Sequence, residues 1–285
     1  MANVSIEQLL ESGAHFGHLT RRWNPKMRNF IFTQRNGIHI IDLRKTHALV
    51  NIAREAALEI ASQGKIILFV GTKPQAKVPV EQEAKHSGTN YVVERWLGGM
   101  LTNFPTIRKS IKRLTTIDKM EVDGTFEKVT KKERLMLNRE RDRLRLMFGG
   151  IEDMQRLPGA LFVVDIKKEH LAIKEAKILG IPVIGIVDTN SDPEEVDFPI
   201  PANDDSVKTI ELIASVIGSA VVEGREVAKT RAAEIGAQGD REAKETEQGS
   251  DDKPRRRMRE RRGGSGGTGG RRERTAEQAG ETVSE

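Results

Sequence analysis

Residues 13–32 read GAHFGHLTRRWNPKMRNFIF and mix side chains suited to different chemistries. His15 and His18 stand three apart, each preceded within two or one positions by a glycine. A helical zinc pair needs i,i+4 spacing and a third ligand. Neither condition is met, so the histidines are assigned a structural or RNA-facing role rather than a metal. Arg21, Arg22, Lys26 and Arg28 follow, and no Asp or Glu occurs between Glu11 and Asp42 to balance them. Set around Trp23 and Phe30, these cations offer forks for phosphate oxygens and flat surfaces for base stacking. Lys109 and Lys112, with Arg108 and Arg113, repeat the cationic theme further along. The two patches, together with Lys73, read as nucleic-acid contacts.

Other segments invite catalytic readings. LFVGTKPQAK resembles a phosphate loop but lacks both G-x-x-x-x-G-K-[ST] and G-x-G-x-x-G. Gly71, Thr72 and Lys73 could hold one phosphate through backbone N–H groups and an ammonium; the plainer reading is a tight strand-to-helix turn. Asp165 and Asp188 each close an apolar run, with Asp192 just behind. Three carboxylates there could hold magnesium through water, or serve as caps and loop residues. Asp204 and Asp205, before a helix, fit capping. A nucleotide- or sugar-phosphate-binding α/β enzyme using Gly71–Lys73 and Asp188 is the alternative. Without a G-x-S-x-G elbow, a glycine fingerprint or any cysteine, no catalytic residue, cofactor or metal is expected. RWLGGMLTNF reads as a hinge, with Thr102 and Asn103 as available helix caps.

The elements that must position these residues alternate. SIEQLLESG is a short helix capped by Ser5 and stopped at Gly13. NFIFTQRNGIHIIDL is two strands about an Asn36-Gly37 turn. KTHALVNIAREAALEIASQG is an amphipathic helix with Leu49, Ile52, Ala53, Ala56 and Ile60 on its apolar face. KIILFVG, NYVVE, GALFVVD and IPVIGIVD read as strands, separated or followed by the helical segments PQAKVPVEQEAKHSG, KKEHLAIKEAKILG and DSVKTIELIASVIGSAVVEG. Continuous apolar strands alternating with helices imply a parallel sheet covered on both faces. Residues 104–154 differ: Ile107, Ile111, Leu114 and Ile117 form one helical stripe, Gly124 breaks it, and Leu137, Leu144 and Ile151 recur at steps of seven. Two helices zipped into an antiparallel hairpin are expected.

Charge divides the chain. Residues 1–150 hold 26 Lys+Arg against 15 Asp+Glu, whereas residues 151–224 hold 6 against 14. That split predicts a basic face drawn to polyanions and an acidic one facing basic proteins or solvent. Neither a signal peptide nor a membrane-spanning run is read, and a soluble cytoplasmic protein is expected. Residues 225–285 hold almost no large apolar groups and read as a disordered charged tail, with Arg255–Arg257 and Arg261–Arg262 as weak RNA contacts.

IEQLLESGAHFGHLTRRWNPKMRNFIFTQRNGIHIIDLRKT, VGTKPQA, RWLGGMLTNFPTI and PGALFVVDIKKEHLAIKEAKILGIPVIGIVDTNSDP occur in the order found in the ribosomal protein S2 family of the bacterial small subunit, and the chain resembles that family over about residues 3–224. The resemblance implies a Rossmann-like (flavodoxin-like) α/β body, residues 1–103 and 155–224, with an inserted coiled-coil hairpin, residues 104–154. It implies no enzymatic activity. It implies a structural role on the small subunit, contact with ribosomal RNA and neighbouring ribosomal proteins, and help in recruiting the large messenger-binding protein S1; no membrane or small-molecule substrate is implied.

Overall fold

The computed structural model describes residues 4–124, 126 and 129–248. The chain divides into two compact units, Met1–Gly236 and Ala237–Glu285. The first begins with helix α1 (Ile6–Glu11), whose Ser5 hydroxyl and Gln8 side chain satisfy each other's backbone N–H groups in a capping box. Strands β1 (Phe16–Leu19), β2 (Ile31–Arg35) and β3 (Ile38–Ile41) form an antiparallel sheet in the order β1-β3-β2. Asn36 and Gly37 both take positive φ, 52° and 75°, which is the type I′ turn their sequence predicts.

The second sheet holds β4 (Ile67–Val70), β5 (Tyr91–Val92), β6 (Ala160–Val164), β7 (Val183–Val187) and β8 (Phe198–Pro201). Its order is β5-β4-β6-β7-β8 and every neighbouring pair is parallel. Ranked along the chain this is 2-1-3-4-5, the flavodoxin-like order, with the reversal between β4 and β6. Alternation along each strand sends Ile67, Phe69, Phe162 and Ile184 into one apolar cluster and Leu68, Val70, Leu161 and Val163 into another. The first is shared with helices α2 (Leu43–Ser62), α3 (Pro74–His86) and the start of α7 (Val207–Gln248); the second with α6 (His170–Ile178), Met27 and the base of the hairpin. Each large apolar side chain so covered contributes about 1.5–3 kcal/mol.

The buried stripe of α2 differs from the expected one. Thr46, Val50, Ala53, Ala57 and Ala61 face inward, while Ile52 is 50% exposed. Small residues win because α7 approaches closely: a Cβ on Gly224 would lie 2.6 Å from both Ala61 Cβ and the Leu58 carbonyl oxygen. Strand β8 was not expected either, since Pro199 and Pro201 lie within it. It forms one edge of the sheet, where a missing N–H is tolerated.

Helices α4 (Phe104–Val122) and α5 (Lys131–Phe148) lie side by side, with Ile107, Ile111, Leu114 and Ile117 buried. Arg113 pairs with Glu140, Arg141 with Glu121 and Arg145 with Asp118, an antiparallel register. Thr130 caps α5 by accepting the Glu133 N–H. On α5, Phe148 is the buried residue, and Leu137 and Leu144 are half-buried.

At the base of the hairpin, the expected hinge is wrapped around one carboxylate. Glu175 of α6 accepts from the Trp96 indole (3.1 Å), the N–H groups of Gly99 (2.8 Å), Leu101 (3.0 Å) and Thr102 (3.0 Å), and the Thr102 hydroxyl (3.0 Å). Thr102 is therefore not a helix cap, and Asn103, which occupies the cap position of α4, makes no side-chain capping bond.

No element ends at residue 224. Helix α7 runs to Gln248, because the sequence after Gly224 keeps good helix formers after its large apolar residues run out. Arg225 donates from Nη1 to the carbonyl oxygens of Ser87 (2.6 Å) and Gly88 (2.7 Å), closing the C-terminus of α3. Ending the chain after Gly224 is therefore expected to lower its stability by about 1.5–3 kcal/mol relative to a chain ending after Gly236. Urea denaturation of the two truncated proteins measures it, and equal midpoints would refute the capping role. Arg255–Arg257 and Arg261–Arg262 lie outside the described residues.

Candidate nucleic-acid interface and the carboxylate edge

The opening stretch is pinned to the loop after β7 by Thr189. His18 N–H donates to Thr189 Oγ1 (2.9 Å), and Asn24 N–H to the Thr189 carbonyl (2.7 Å). Position 17 must be glycine for this fit, since a Cβ there would sit 2.5 Å from Thr189 Cγ2. The chain then makes two 3-10 turns, Thr20–Arg22 and Pro25–Phe30, the second capped by Asn24, whose side chain accepts the Lys26 N–H. Met27 is buried in the second apolar cluster, and the turn residues around it are left outside.

This arrangement divides the expected contacts. Arg21, Arg22 and Arg28 are exposed and have no ion pair or side-chain hydrogen bond among the described residues. Trp23 packs against His39 with ring centroids 5.2 Å apart and the planes tilted by 44°. Lys26 is not an uncompensated cation: its ammonium lies 2.8 Å from Asp192 and 2.5 Å from Glu194, which raise its pKa. Sequence proximity failed as a guide here because the balancing acids come from far along the chain. On α4, Lys109 and Lys112 are exposed and likewise unpaired among the described residues. Arg113 is held in a two-pronged pair by Glu140, and Arg108 donates to the Met154 carbonyl and Gln155 Oε1.

The phosphate-loop reading meets two obstacles. The Thr72 N–H and hydroxyl both donate to Glu169, so the amide a phosphate would use is taken. Burial raises the Glu169 pKa, although the Thr72 bonds oppose this. Lys73, placed earlier among the RNA contacts, lies 13% exposed among Asp204 (2.7 Å), Asp205 (2.5 Å) and Asp165 (3.4 Å). An ammonium neutralised by these carboxylates has little left for a nucleic-acid phosphate, and Lys73 is removed from that set.

These acids form a cluster at the carboxyl ends of β6, β7 and β8, beside the β4–β6 reversal where open α/β sheets form their crevice. His18 Nδ1 lies 2.8 Å from Asp188 Oδ2, which raises the His18 pKa against the effect of burial. Asp204 is fully buried; burial, and then the neighbouring Asp188 and Asp165, push its carboxyl up to about 7. His18, Asp188 and Asp204 bring ligand-type atoms within 4.8 Å of one another, but His18 is engaged with Asp188 and the Lys73 ammonium already supplies positive charge to Asp204. The earlier grouping with Asp192 does not form: that carboxylate caps its own turn through the Glu194 N–H and holds Lys26. Asp204 and Asp205 are likewise occupied with Lys73, and the Thr209 N–H at the start of α7 is met by Ser206 (3.4 Å). No helix among the described residues is long and apolar enough to cross a membrane.

Residues 9–224 match the family model described as Ribosomal protein S2. The chain is 59% identical over 229 residues to the Small ribosomal subunit protein uS2 of Chloroherpeton thalassium, an alignment covering 80% of this chain and 92% of the relative. It is 54% identical over 252 residues to the protein of that name from Chlorobaculum parvum, covering 88% of this chain and all of the relative. Against that of Porphyromonas gingivalis it is 58% identical over 224 residues, 79% of this chain and 80% of the relative.

Proposed function

The chain belongs to the ribosomal protein S2 family, and from that premise we propose that it acts as a structural constituent of the small ribosomal subunit in the cytoplasm, binding ribosomal RNA and neighbouring ribosomal proteins and helping to recruit the messenger-binding protein S1. The observation that supports RNA contact best is the turn bearing Arg21, Arg22, Trp23 and Arg28. Three guanidinium groups there stay exposed without acidic partners among the described residues, on a backbone fixed by Thr189. Exposed guanidinium groups that no carboxylate engages are available to a polyanion, and phosphate backbones are the partners such groups match. Lys109 and Lys112 extend the surface along α4, with Arg108 and Arg113 contributing what their internal partners leave free. We read residues 1–103 and 155–224 as the docking body, residues 104–154 as a brace against RNA or a protein neighbour, and the residues beyond 224 as an accessory segment that begins inside α7. The acidic partners of Lys26 and Lys73 belong to a protein-facing or internally balanced edge.

Substituting Arg21, Arg22 and Arg28 together by alanine is expected to weaken binding to small-subunit ribosomal RNA and to lower the slope of log K against log salt by about 2–3. Filter binding across a salt series gives both readings. An unchanged affinity and slope would rule out this surface as the RNA contact. Salt-graded cosedimentation with small subunits separates the ribosomal role from the enzyme alternative, which requires nucleotide binding by the free protein.

A further inference from the structure

Beside the cationic turn lies a cavity of about 330 Å³ lined by Trp23, Arg28, Ile31, Thr33, Gln34 and His39. Its size falls at the small end of the range for compact ligands, about 300–1,000 Å³. We infer that this cavity receives a single unpaired base of the bound RNA, stacked against Trp23 and read at its edge by the carboxamide of Gln34 on β2. The inference rests on the RNA-binding reading above and adds that the RNA presents an unstacked nucleotide here.

Four features carry it. Trp23 is an aromatic platform left 37% exposed although it packs on His39, so part of its ring remains available for stacking. His39 is only 8% exposed, and neither ring nitrogen has a hydrogen-bond partner among the described residues. Both nitrogens are enclosed, so His39 backs the Trp23 ring and the cavity wall rather than pairing with the base edge. Gln34 stands exposed on β2 directly opposite His39, on the same face of the sheet, and its carboxamide makes no hydrogen bond among the described residues. Arg28, which also lines the cavity, carries a guanidinium with no acidic partner among the described residues, suited to the phosphate of the same nucleotide. Aromatic face, amide and arginine together are means by which proteins hold splayed-out bases. No carboxylate lines the cavity, so a cationic peptide finds no countercharge in it.

The test uses the full-length protein with a short oligoadenylate as single strand and an RNA duplex of equal length. Trp23→Leu is expected to weaken oligoadenylate binding roughly 5- to 100-fold while leaving the salt slope unchanged, because no charge is removed. Duplex affinity should stay the same, and Trp23→Phe should restore most of the single-strand affinity. Gln34→Ala, at an exposed strand position, provides a second variant that leaves the fold intact and should weaken binding to a lesser degree. If Trp23→Leu binds oligoadenylate as well as the parent while the triple arginine variant still loses affinity and slope, the base pocket is wrong and the RNA reading stands. If neither variant changes RNA binding, the RNA reading itself fails. If Trp23→Leu releases a ribosomal protein from the subunit without changing RNA affinity, the cavity is a protein-docking site and the inference is overturned.

Discussion

Glu175→Ala lowers the stability of the folded chain by about 3–5 kcal/mol, the scale expected when a buried charged acceptor is removed and its donors are orphaned. The side chain is 8% exposed and accepts from Trp96, Gly99, Leu101 and Thr102, so the substitution strands three backbone N–H groups together with an indole and a hydroxyl. Glutamine is no remedy, because its amide nitrogen is a donor placed where only acceptors fit. Burial alone would raise the Glu175 pKa; the N–H groups of Thr102 and Leu101, then Trp96 and Gly99, reverse this and hold it below the ordinary glutamate value. A lowered folded-state pKa means that this stabilisation is fully present above the unfolded value of about 4.5 and fades as pH falls through the folded one. Urea denaturation at neutral pH and through the acid range measures both effects in parent and variant. Trp96, 6% exposed and bonded to Glu175, gives a local signal: its emission should shift towards that of a hydrated indole. A variant less than about 1 kcal/mol weaker than the parent, with unchanged emission, would show that the clamp is dispensable.

That clamp marks the limit of what the sequence discloses. The parallel strands were legible because sheets covered on both faces demand unbroken apolar runs, and IILFV and LFVV are such runs. Asn36-Gly37 was legible because few pairs tolerate two positive φ values. The stripe Ile107, Ile111, Leu114, Ile117 was legible because a helix pairing along one narrow seam needs little else. In contrast, Glu175 sits in KEAKIL, where an acid between lysines looks like a solvated helix face; its partners lie 73 to 79 residues away. Lys26 looked unbalanced because its acids, Asp192 and Glu194, lie 166 and 168 residues on. In α2, hydrophobicity favoured Ile52 over the alanines, but packing against α7 rewards small side chains. Strand β1 escaped because its burial alternates poorly, with Phe16 and Leu19 exposed and Gly17 and His18 half-buried. In the candidate site, Arg21, Arg22, Arg28 and Trp23 keep the exposure that residue type suggested, whereas partners far along the chain engage Lys26, Lys73, Arg108 and Arg113.

Lys73→Met is the strongest test of that last distinction. The ammonium, 13% exposed, is the cation placed among Asp165, Asp204 and Asp205, with Asp188 close behind Asp204. Removing it leaves buried carboxylates facing one another, for which a loss of about 3–5 kcal/mol is expected near pH 8. The loss should shrink on mild acidification. Asp204 already has its carboxyl raised to about 7, so the folded chain binds more protons than the unfolded one between roughly 4 and 7. Stability therefore falls as pH rises through that window, and more steeply once Lys73 no longer opposes the raised value. Denaturation at pH 5 and pH 8 should accordingly show the variant closer to the parent at the lower pH. Pairing Lys73→Met with Asp204→Asn removes both the cation and the most deeply buried acid, and should recover much of the loss, since replacing both members of a buried pair is far milder than breaking it. If Lys73 instead serves RNA, Lys73→Met will leave stability untouched at both pH values and reduce the salt slope of RNA binding by about one. The geometry favours the first result, because the ammonium touches carboxylates supplied by β6 and β8 ends and has no need of an external anion to balance it.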